Sequence, residues 1–231
     1  MSKLVIDTET CGTLEQPFVY DIGFVILGKQ NERLFEYRAL VREVFYGMAE
    51  QMESAYYADK LPAYHQEIAN KRLQVLPLAR IREDLAQACK EYKVKTAWAF
   101  NAGFDKRALS NTVRKVSNGL QLYFMPYGIE WRDVWALACN TILNKRSFFK
   151  FVKEQNAYTP KDWPRTDAEI TYRFITNNCS FIESHTALDD ARIESVILAR
   201  ILARKGKTRG LGEIVPFPNR TIKQAFDAWD N

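Results

Sequence analysis

The stretch Lys3–Thr10 reads KLVIDTET and ends an apolar, β-branched run on two acidic residues, Asp7 and Glu9. Such a run predicts a buried β-strand. Side chains at positions i and i+2 of a strand point to the same face, so both carboxylates are expected to converge just beyond the sheet. Hard divalent cations such as Mg²⁺ prefer carboxylate oxygens, although an acidic pair is also common at an ordinary polar strand end.

Further along the chain, the hydrophobic pattern predicts a mixed sheet covered by helices. Strand-like segments at Phe18–Leu27 and Arg33–Val44 suggest an antiparallel meander with the first strand. A buried strand is predicted at Thr96–Phe100 and a short one at Leu120–Phe124. The predicted helices are Ala49–Asp59, Ala63–Leu73, Leu78–Tyr92, Phe104–Val116, Asp133–Leu143, Ser147–Glu154, Ala168–Asn177 and Ala187–Lys205. This order indicates an α/β domain.

Two later segments place acidic residues where predicted helices begin. In FNAGFD (100–105) a buried strand runs into a glycine-containing turn, and Asp105 starts a helix, where Asp is also a routine N-cap. In HTALDDA (185–191) His185 precedes a helix and Asp190 lies one turn into it. Asp189 is expected to be structural, because the helix dipole favours an acid there.

The order of these motifs, a DxE pair, a single Asp and a His-x4-Asp, resembles the DEDDh exonucleases. This superfamily includes polymerase proofreading subunits, RNase T and oligoribonuclease, and the motifs span nearly the whole chain. The resemblance is greater to phage-type and bacterial members than to oligoribonuclease. It implies an RNase H-like mixed sheet with helices on both faces.

The resemblance also implies an activity, metal-dependent 3′→5′ exonucleolysis. Asp7, Glu9, Asp105 and Asp190 would hold two Mg²⁺ or Mn²⁺ ions, and His185 would take a proton from the attacking water. Two such ions clamp the attacking and leaving oxygens of an in-line displacement at phosphorus. The product would be a nucleoside 5′-monophosphate.

Residues just after the DxE pair contact the terminal nucleotide in this superfamily. The resemblance therefore implies that Thr10, Cys11, Gly12 and Leu14 bind substrate, and that Asn101 lines the substrate groove. Relatives often carry Thr where this chain has Cys11. Sulfur is a weaker hydrogen-bond partner, so a contact through the backbone alone is expected there.

Asp21 lies inside the apolar second strand. We expect it to be a structural hydrogen-bond acceptor outside the metal site.

The sequence leaves the substrate and the partners open. On resemblance, single-stranded DNA or frayed 3′ ends are slightly favoured over RNA. An RNA-processing 3′→5′ exoribonuclease and a non-catalytic nucleic-acid-binding module on the same fold are the alternatives, although a binder has no need of four carboxylates that repel phosphate. Relatives pair with themselves or bind a polymerase, and no polymerase domain is present in this chain.

Composition excludes only a few classes of protein. A net charge of +5 permits attraction to a polyanion. Four cysteines without a CxxC pair, and only two histidines, argue against a zinc site. No apolar run is long enough to span a bilayer, so a cytoplasmic protein without a membrane partner is expected.

Two regions are predicted along the chain. Residues 1–205 form the exonuclease domain and 206–231 a basic tail rich in Gly and Pro, which argues against a packed core there. Thr221–Trp229 has the pattern of a short amphipathic helix that could dock back.

Overall fold

A six-stranded mixed sheet forms the centre of the computed structural model, which describes residues 1–204 and 212–230. The strand order is β4-β3-β2-β1-β5-β6. β1, β2 and β3 form the predicted antiparallel meander, while β5 runs parallel to β1, β6 to β5 and β4 to β3. The strands are β1 Ser2–Gly12, β2 Pro17–Leu27, β3 Arg33–Val41, β4 Gln74–Leu76, β5 Val94–Ala99 and β6 Glu130–Asp133.

Helices cover both faces of this sheet. They are α1 Arg42–Phe45, α2 Ala49–Glu53, α3 Leu61–Ala69, α4 Leu78–Glu91, α5 Ala102–Val116, α6 Val134–Thr141, α7 Arg146–Glu154, α8 Ala168–Thr176, α9 Ala187–Ala203 and α10 Arg220–Asp230. A 3-10 turn at Ala58–Lys60 leads into α3. The predicted α/β class is confirmed.

The alternation of side chains along β1 separates two cores. Leu4 and Ile6 pack with α4 and α5 on one face. Val5 packs on the opposite face with α6 to α10. Asp7 and Glu9 continue the series of Val5, so β1 directs both carboxylates toward the face that α9 covers.

Gly23 in β2 brings α9 unusually close to the sheet. A Cβ atom at this position would lie 2.1 Å from the backbone nitrogen of Leu188 and 2.2 Å from the carbonyl carbon of Ala187. Only glycine permits this approach of backbone to backbone. The first turn of α9 is therefore fixed against the centre of the sheet, beside β1.

The prediction of a strand at Leu120–Phe124 is wrong. This segment is surface loop, and Leu120 is 89% exposed. The strands β4 and β6 were not predicted, because they are short and β6 carries three charged residues.

The C-terminal segment packs onto the domain. The carbonyl oxygen of Gly212 accepts from the backbone nitrogen of Asp133 at 2.8 Å. The helix predicted at Thr221–Trp229 is present as α10, and its Ile222 and Phe226 are buried in the core beneath it. Residues 205–211 lie outside the described residues, so the boundary at 205 and most of the basic stretch stay predictions.

Within residues 1–204 and 212–230, no helix combines the length and apolarity required to cross a membrane.

Candidate active site

Three predicted metal-binding carboxylates meet at the end of β1. One oxygen from each of Asp7, Glu9 and Asp190 lies within 4.8 Å of the others. Asp7 and Glu9 share a face of β1, and Asp190 comes from the first turn of α9. The close packing of α9 on Gly23 of β2 makes this convergence possible.

The electrostatics of this group fit a cation. Burial, together with the charges of neighbouring carboxylates, raises the pKa of Glu9 to about 7 and that of Asp190 to about 9. Burial and the charges of nearby acids raise the pKa of Asp7 well above its usual range. The Oδ1 atom of Asp190 is buried without a hydrogen-bond partner among the described residues. A hard divalent cation would satisfy that oxygen and relieve the repulsion.

Asp105 lies beside this group but outside the three-oxygen set. It is buried in the first turn of α5 and its Oδ1 accepts a hydrogen bond of 2.8 Å from Thr8 Oγ1. Burial raises its pKa to about 7, while the hydrogen bond from Thr8 opposes that shift. Its charge raises the pKa of both Asp7 and Glu9, so the four predicted metal-binding residues are electrostatic neighbours.

Two further buried acids near the site were not predicted. Glu194 lies one turn after Asp190 in α9 and accepts a hydrogen bond of 3.1 Å from the backbone nitrogen of Phe100. Among the neighbouring acids, it raises the pKa of Asp7 the most. The spacing of four residues from Asp190 could have revealed it. Asp133 caps α6 and also accepts from the backbone nitrogen of Ala102 at 3.1 Å, which fixes the start of α5.

His185 lies at the rim of the carboxylate group. Its Nδ1 is 3.9 Å from Asp190 Oδ2 and 3.8 Å from Glu183 Oε2, and its side chain is 35% exposed. Its φ is +51°, a conformation that residues other than glycine adopt rarely. Burial lowers its pKa below the ordinary value. A lowered pKa favours the neutral ring, which is the form that can accept a proton.

Tyr57 and Lys60, from the turn before α3, hold the His185 loop. The rings of Tyr57 and His185 stack with centroids 4.6 Å apart at 19°. Lys60 Nζ donates to the backbone oxygens of Ser184 at 2.5 Å and His185 at 3.0 Å, and lies 4.4 Å from the Tyr57 ring centroid. These contacts join segments about 125 residues apart, and no local motif marks them.

Asp21 is the structural acceptor that was predicted. It is fully buried, and accepts from Arg38 Nη2 at 2.9 Å, from the hydroxyl of Tyr64 at 2.9 Å and from the backbone nitrogen of Ala187 at 3.4 Å. The last contact ties the start of α9 to β2. Asp21 thus helps to position Asp190 without belonging to the three-oxygen set.

Asp189 does not belong to that set either. Its oxygens accept from the hydroxyls of Ser184 at 3.2 Å and Thr186 at 3.1 Å, and from Arg192 at 2.8 Å. It organises the turn before α9, in agreement with the structural role expected of it.

The predicted substrate-binding residues surround the same end of the sheet with different degrees of access. Cys11 is buried, so its sulfur is withdrawn from the surface, whereas Leu14 is 76% exposed and its carbonyl accepts from Arg107. Gly12 has φ +88° in the turn after β1. Thr10 is half-buried. Asn101 is exposed at the start of α5, with φ +66°, and lines a cavity of about 340 Å³.

Solved structures of E. coli exonuclease I share this fold. Zinc-bound exonuclease I of E. coli with single-stranded DNA matches with a TM-score of 0.51 and 11% identity, over 89% of this chain and 41% of that one. The same enzyme with a 5cy-dT13 oligonucleotide matches with a TM-score of 0.54 and 12% identity, over 88% of this chain and 40% of that one. Its complex with a dA16 oligonucleotide matches with a TM-score of 0.50 and 12% identity, over 88% of this chain and 41% of that one. The predicted RNase H-like fold is confirmed.

This similarity is one of fold. The chain spans about two fifths of the length of these E. coli structures. No family model and no curated protein sequence matches the chain.

Proposed function

We propose that this protein is a divalent-metal-dependent 3′→5′ exonuclease that releases nucleoside 5′-monophosphates from single-stranded DNA or frayed 3′ ends. The observation that carries the proposal is the set of three carboxylate oxygens within 4.8 Å, contributed by Asp7, Glu9 and Asp190. The fold supports it, because exonuclease I of E. coli has this fold and has been solved with single-stranded DNA.

In this proposal Asp7, Glu9 and Asp190, joined by Asp105, hold two Mg²⁺ or Mn²⁺ ions. A donor set made only of carboxylates suits these ions, whereas zinc is more often bound by His and Cys. When bound, the ions would stabilise the charge that develops on the attacking and leaving oxygens. Because burial raises the pKa of these carboxyls, a cation that binds the charged forms would displace protons from them.

His185 would accept the proton of the attacking water. Its neutral ring lies at the rim of the group, 3.9 Å from Asp190 Oδ2, and is half-exposed, so a water can reach it. A positioned base of this kind contributes about 10²–10⁴-fold to such a reaction. Tyr57 and Lys60 would keep the ring at that place through stacking and through the two carbonyl contacts.

The terminal nucleotide would lie against the turn after β1 and the start of α5. Exposed Leu14 offers an apolar surface to a base, and Thr10, Gly12 and Asn101 offer polar groups. Because its sulfur is buried, Cys11 would take part through its backbone.

The test is an assay with 5′-labelled single-stranded DNA and RNA of one sequence, with Mg²⁺ or Mn²⁺. We expect a ladder that shortens from the 3′ end, loss of that ladder with EDTA or with Asp7→Asn, and a large decrease with His185→Ala. The faster of the two substrates separates DNA turnover from RNA processing.

Two outcomes would contradict the proposal. Internal cuts, or shortening from the 5′ end, would point to a different nuclease. No shortening by a folded protein whose melting temperature still rises with Mn²⁺ would favour the non-catalytic binding module.

A further inference from the structure

The loop between α5 and β6, residues 117–129, exposes large apolar side chains. Tyr127 is fully exposed and Tyr123 is 71% exposed. The loop is anchored rather than loose, because Phe124 is buried and Arg82 Nη2 in α4 donates to the carbonyl oxygen of Tyr123 at 3.0 Å. The two tyrosines are therefore displayed on a fixed backbone.

Two adjoining cavities of about 430 Å³ each flank this loop. The first lies against α5 and includes Lys106, Tyr123 and Trp131. The second lies against α4 and the start of β5 and includes Lys90, Lys93 and Lys95. Tyr127, Pro126 and Ile129 line both cavities and form the wall between them.

The charge on this surface has one sign. All four lining lysines are exposed, and within the described chain none makes an ion pair and no lining residue is acidic. The adjacent Glu130 is already paired with Arg132 at 2.8 Å. We call Lys90, Lys93, Lys95, Lys106, Tyr123 and Tyr127 the lysine–tyrosine surface.

The lysine–tyrosine surface lies on the face of the sheet that α4 and α5 cover, and it begins one residue after Asp105, at the end of the sheet where the carboxylates meet. Lys106 directly follows Asp105 in α5. β5 runs parallel to β1, with Val94 opposite Ser2 and Thr96 opposite Lys3, so Lys95 lies about 15 Å from the level of Asp7 along the strands. A chain that leaves the carboxylates past Asp105 would turn onto this face at Lys106 and continue over Tyr127 to the lysines of β5 and α4.

We propose that the lysine–tyrosine surface binds the single-stranded nucleic acid that lies upstream of a 3′ end held at the carboxylates. This rests on the proposed function for the direction of the strand. Exposed aromatic rings on which bases stack, set among unpaired cations that follow the backbone, are the chemistry of sequence-independent single-strand binding. The absence of lining acids favours a polyanion over a second copy of this chain or an apolar peptide.

The test measures binding of a labelled single strand of about 20 nucleotides. This length exceeds the ~4–16 nucleotides that common single-strand-binding sites cover. Binding is measured in EDTA, where no metal-dependent cleavage occurs. We expect Tyr127→Ala to weaken binding about 10-fold, because stacking on one ring has about that effect. The control Tyr46→Ala removes an exposed tyrosine outside this surface and should leave binding unchanged.

The cations give an independent readout. The double change Lys90→Gln, Lys95→Gln should reduce the dependence of log affinity on log salt by about 1.4, since each contact with a single-strand phosphate contributes about 0.7. The matched control is Lys150→Gln with Lys161→Gln, two exposed lysines in and after α7 on the other face. Unchanged affinity and salt slope in both surface variants would overturn the proposal.

Measurements of activity distinguish a failure of the proposed exonuclease function from a failure of the proposed strand-binding surface. With Mn²⁺, Tyr127→Ala should turn over a dinucleotide like the parent protein but should degrade the long strand more slowly at low substrate concentration. If neither the parent protein nor the variant cleaves either substrate but Tyr127→Ala still weakens binding, the proposed function is wrong, whereas the inference that the lysine–tyrosine surface binds single strands is supported. If Tyr127→Ala only dissolves a dimer, the surface serves self-association and the inference is wrong.

Discussion

Asp189 and Asp190 are adjacent, yet the fold gives them opposite environments. Asp189 accepts hydrogen bonds from two hydroxyls and pairs with Arg192, and these contacts lower its pKa. Asp190 points into the buried carboxylate group, where burial and neighbouring charges raise its pKa to about 9. One position along the first turn of α9 therefore separates a side chain that stabilises the fold from one whose charge opposes it.

This contrast gives a prediction for metal binding. Asp190→Asn removes an acid whose ionised form is disfavoured in the folded protein, so we expect a higher melting temperature than the parent in EDTA, no rise on addition of Mn²⁺, and no activity. The parent should melt at a higher temperature with Mn²⁺, because a ligand of the folded state stabilises it. Thermal unfolding with and without the metal measures both effects.

The matched control is Asp189→Asn, which weakens the contacts around the turn before α9. It should keep the Mn²⁺-dependent rise and most of the activity, and lose about 1 kcal/mol of stability or less, as expected for a damaged helix start. The reverse pattern, with Asp189 essential and Asp190 dispensable, would refute the assignment.

Asp21 gives a second prediction, for pH. Arg38→Met leaves a fully buried carboxyl whose remaining partners among the described residues are Tyr64 and the Ala187 nitrogen. Removal of one member of a buried pair commonly costs about 3–5 kcal/mol. Without its cation, the pKa of Asp21 rises further above the unfolded value of about 3.9. A carboxyl whose folded pKa is raised loses stability as pH increases from the unfolded pKa through the folded one.

The loss from Arg38→Met should therefore be larger near pH 8 than near pH 5, as measured by urea unfolding. The control Arg33→Met removes an exposed pair with Glu36 on the same strand and should cost less than about 1 kcal/mol at either pH. A loss independent of pH would mean that Asp21 does not retain a buried charge in the variant.

At the scale of elements, the turn before α3 and the loop before α9 act as one unit around His185. Lys60 donates to two successive carbonyls of the loop, and Tyr57 stacks on the imidazole. The left-handed backbone of His185 is unfavourable by itself. The contacts from Lys60 and Tyr57 offset that cost and restrict the ring to one place.

We predict that Lys60→Met lowers kcat by about 10- to 100-fold with little change in KM, since a misplacement of about 1 Å has such an effect on a positioned group. Lys60→Arg should retain most of the activity, because a guanidinium can donate to both carbonyls. Steady-state kinetics of the two variants test this. Equal losses in both, or no loss in Lys60→Met, would exclude a positioning role.

The helices and strands that could be predicted from sequence are those whose hydrophobic residues recur with a clear helical or strand period. The helices α4, α5 and α9 and the strands β1 to β3 follow from hydrophobic spacing alone. β6 was missed because Glu130 and Arg132 interrupt it and its stability comes from pairing with β5. Leu120–Phe124 was mistaken for a strand because local apolarity does not distinguish a buried run from an exposed one.

The candidate site was predictable to the extent that its residues lie in short motifs. Asp7, Glu9 and Asp190 converge as the strand and helix periods require. Lys60 and Tyr57 could not be found, because only the tertiary fold brings them to His185.

At the scale of the whole molecule, the last described helix contributes to the core on the face of the sheet that Val5 occupies. Phe226 of α10 packs edge-on against Phe149 of α7, with ring centroids 5.4 Å apart, and Ile222 is fully buried beside it. Glycine and proline suggested a poorly packed tail, but they precede this helix and do not interrupt it.

Phe226→Ala should therefore lower the free energy of unfolding by about 3–5 kcal/mol, the usual effect of deleting a buried phenylalanine. Gln224→Ala, at an exposed position of the same helix, should change it by less than about 0.5 kcal/mol. Urea unfolding of both variants makes the comparison. A small loss in Phe226→Ala would mean that α10 does not stabilise the domain.

The convergence of β1 and α9 has a consequence for how the protein matures. Asp7 and Asp190 are 183 positions apart in the chain (190 − 7), and non-local contacts of this kind form late and slowly. A growing polypeptide that ends before residue 185 lacks both His185 and Asp190. Under the proposed function, metal binding and the chemistry that depends on it would therefore emerge only once residues 1–190 have been synthesised and folded together.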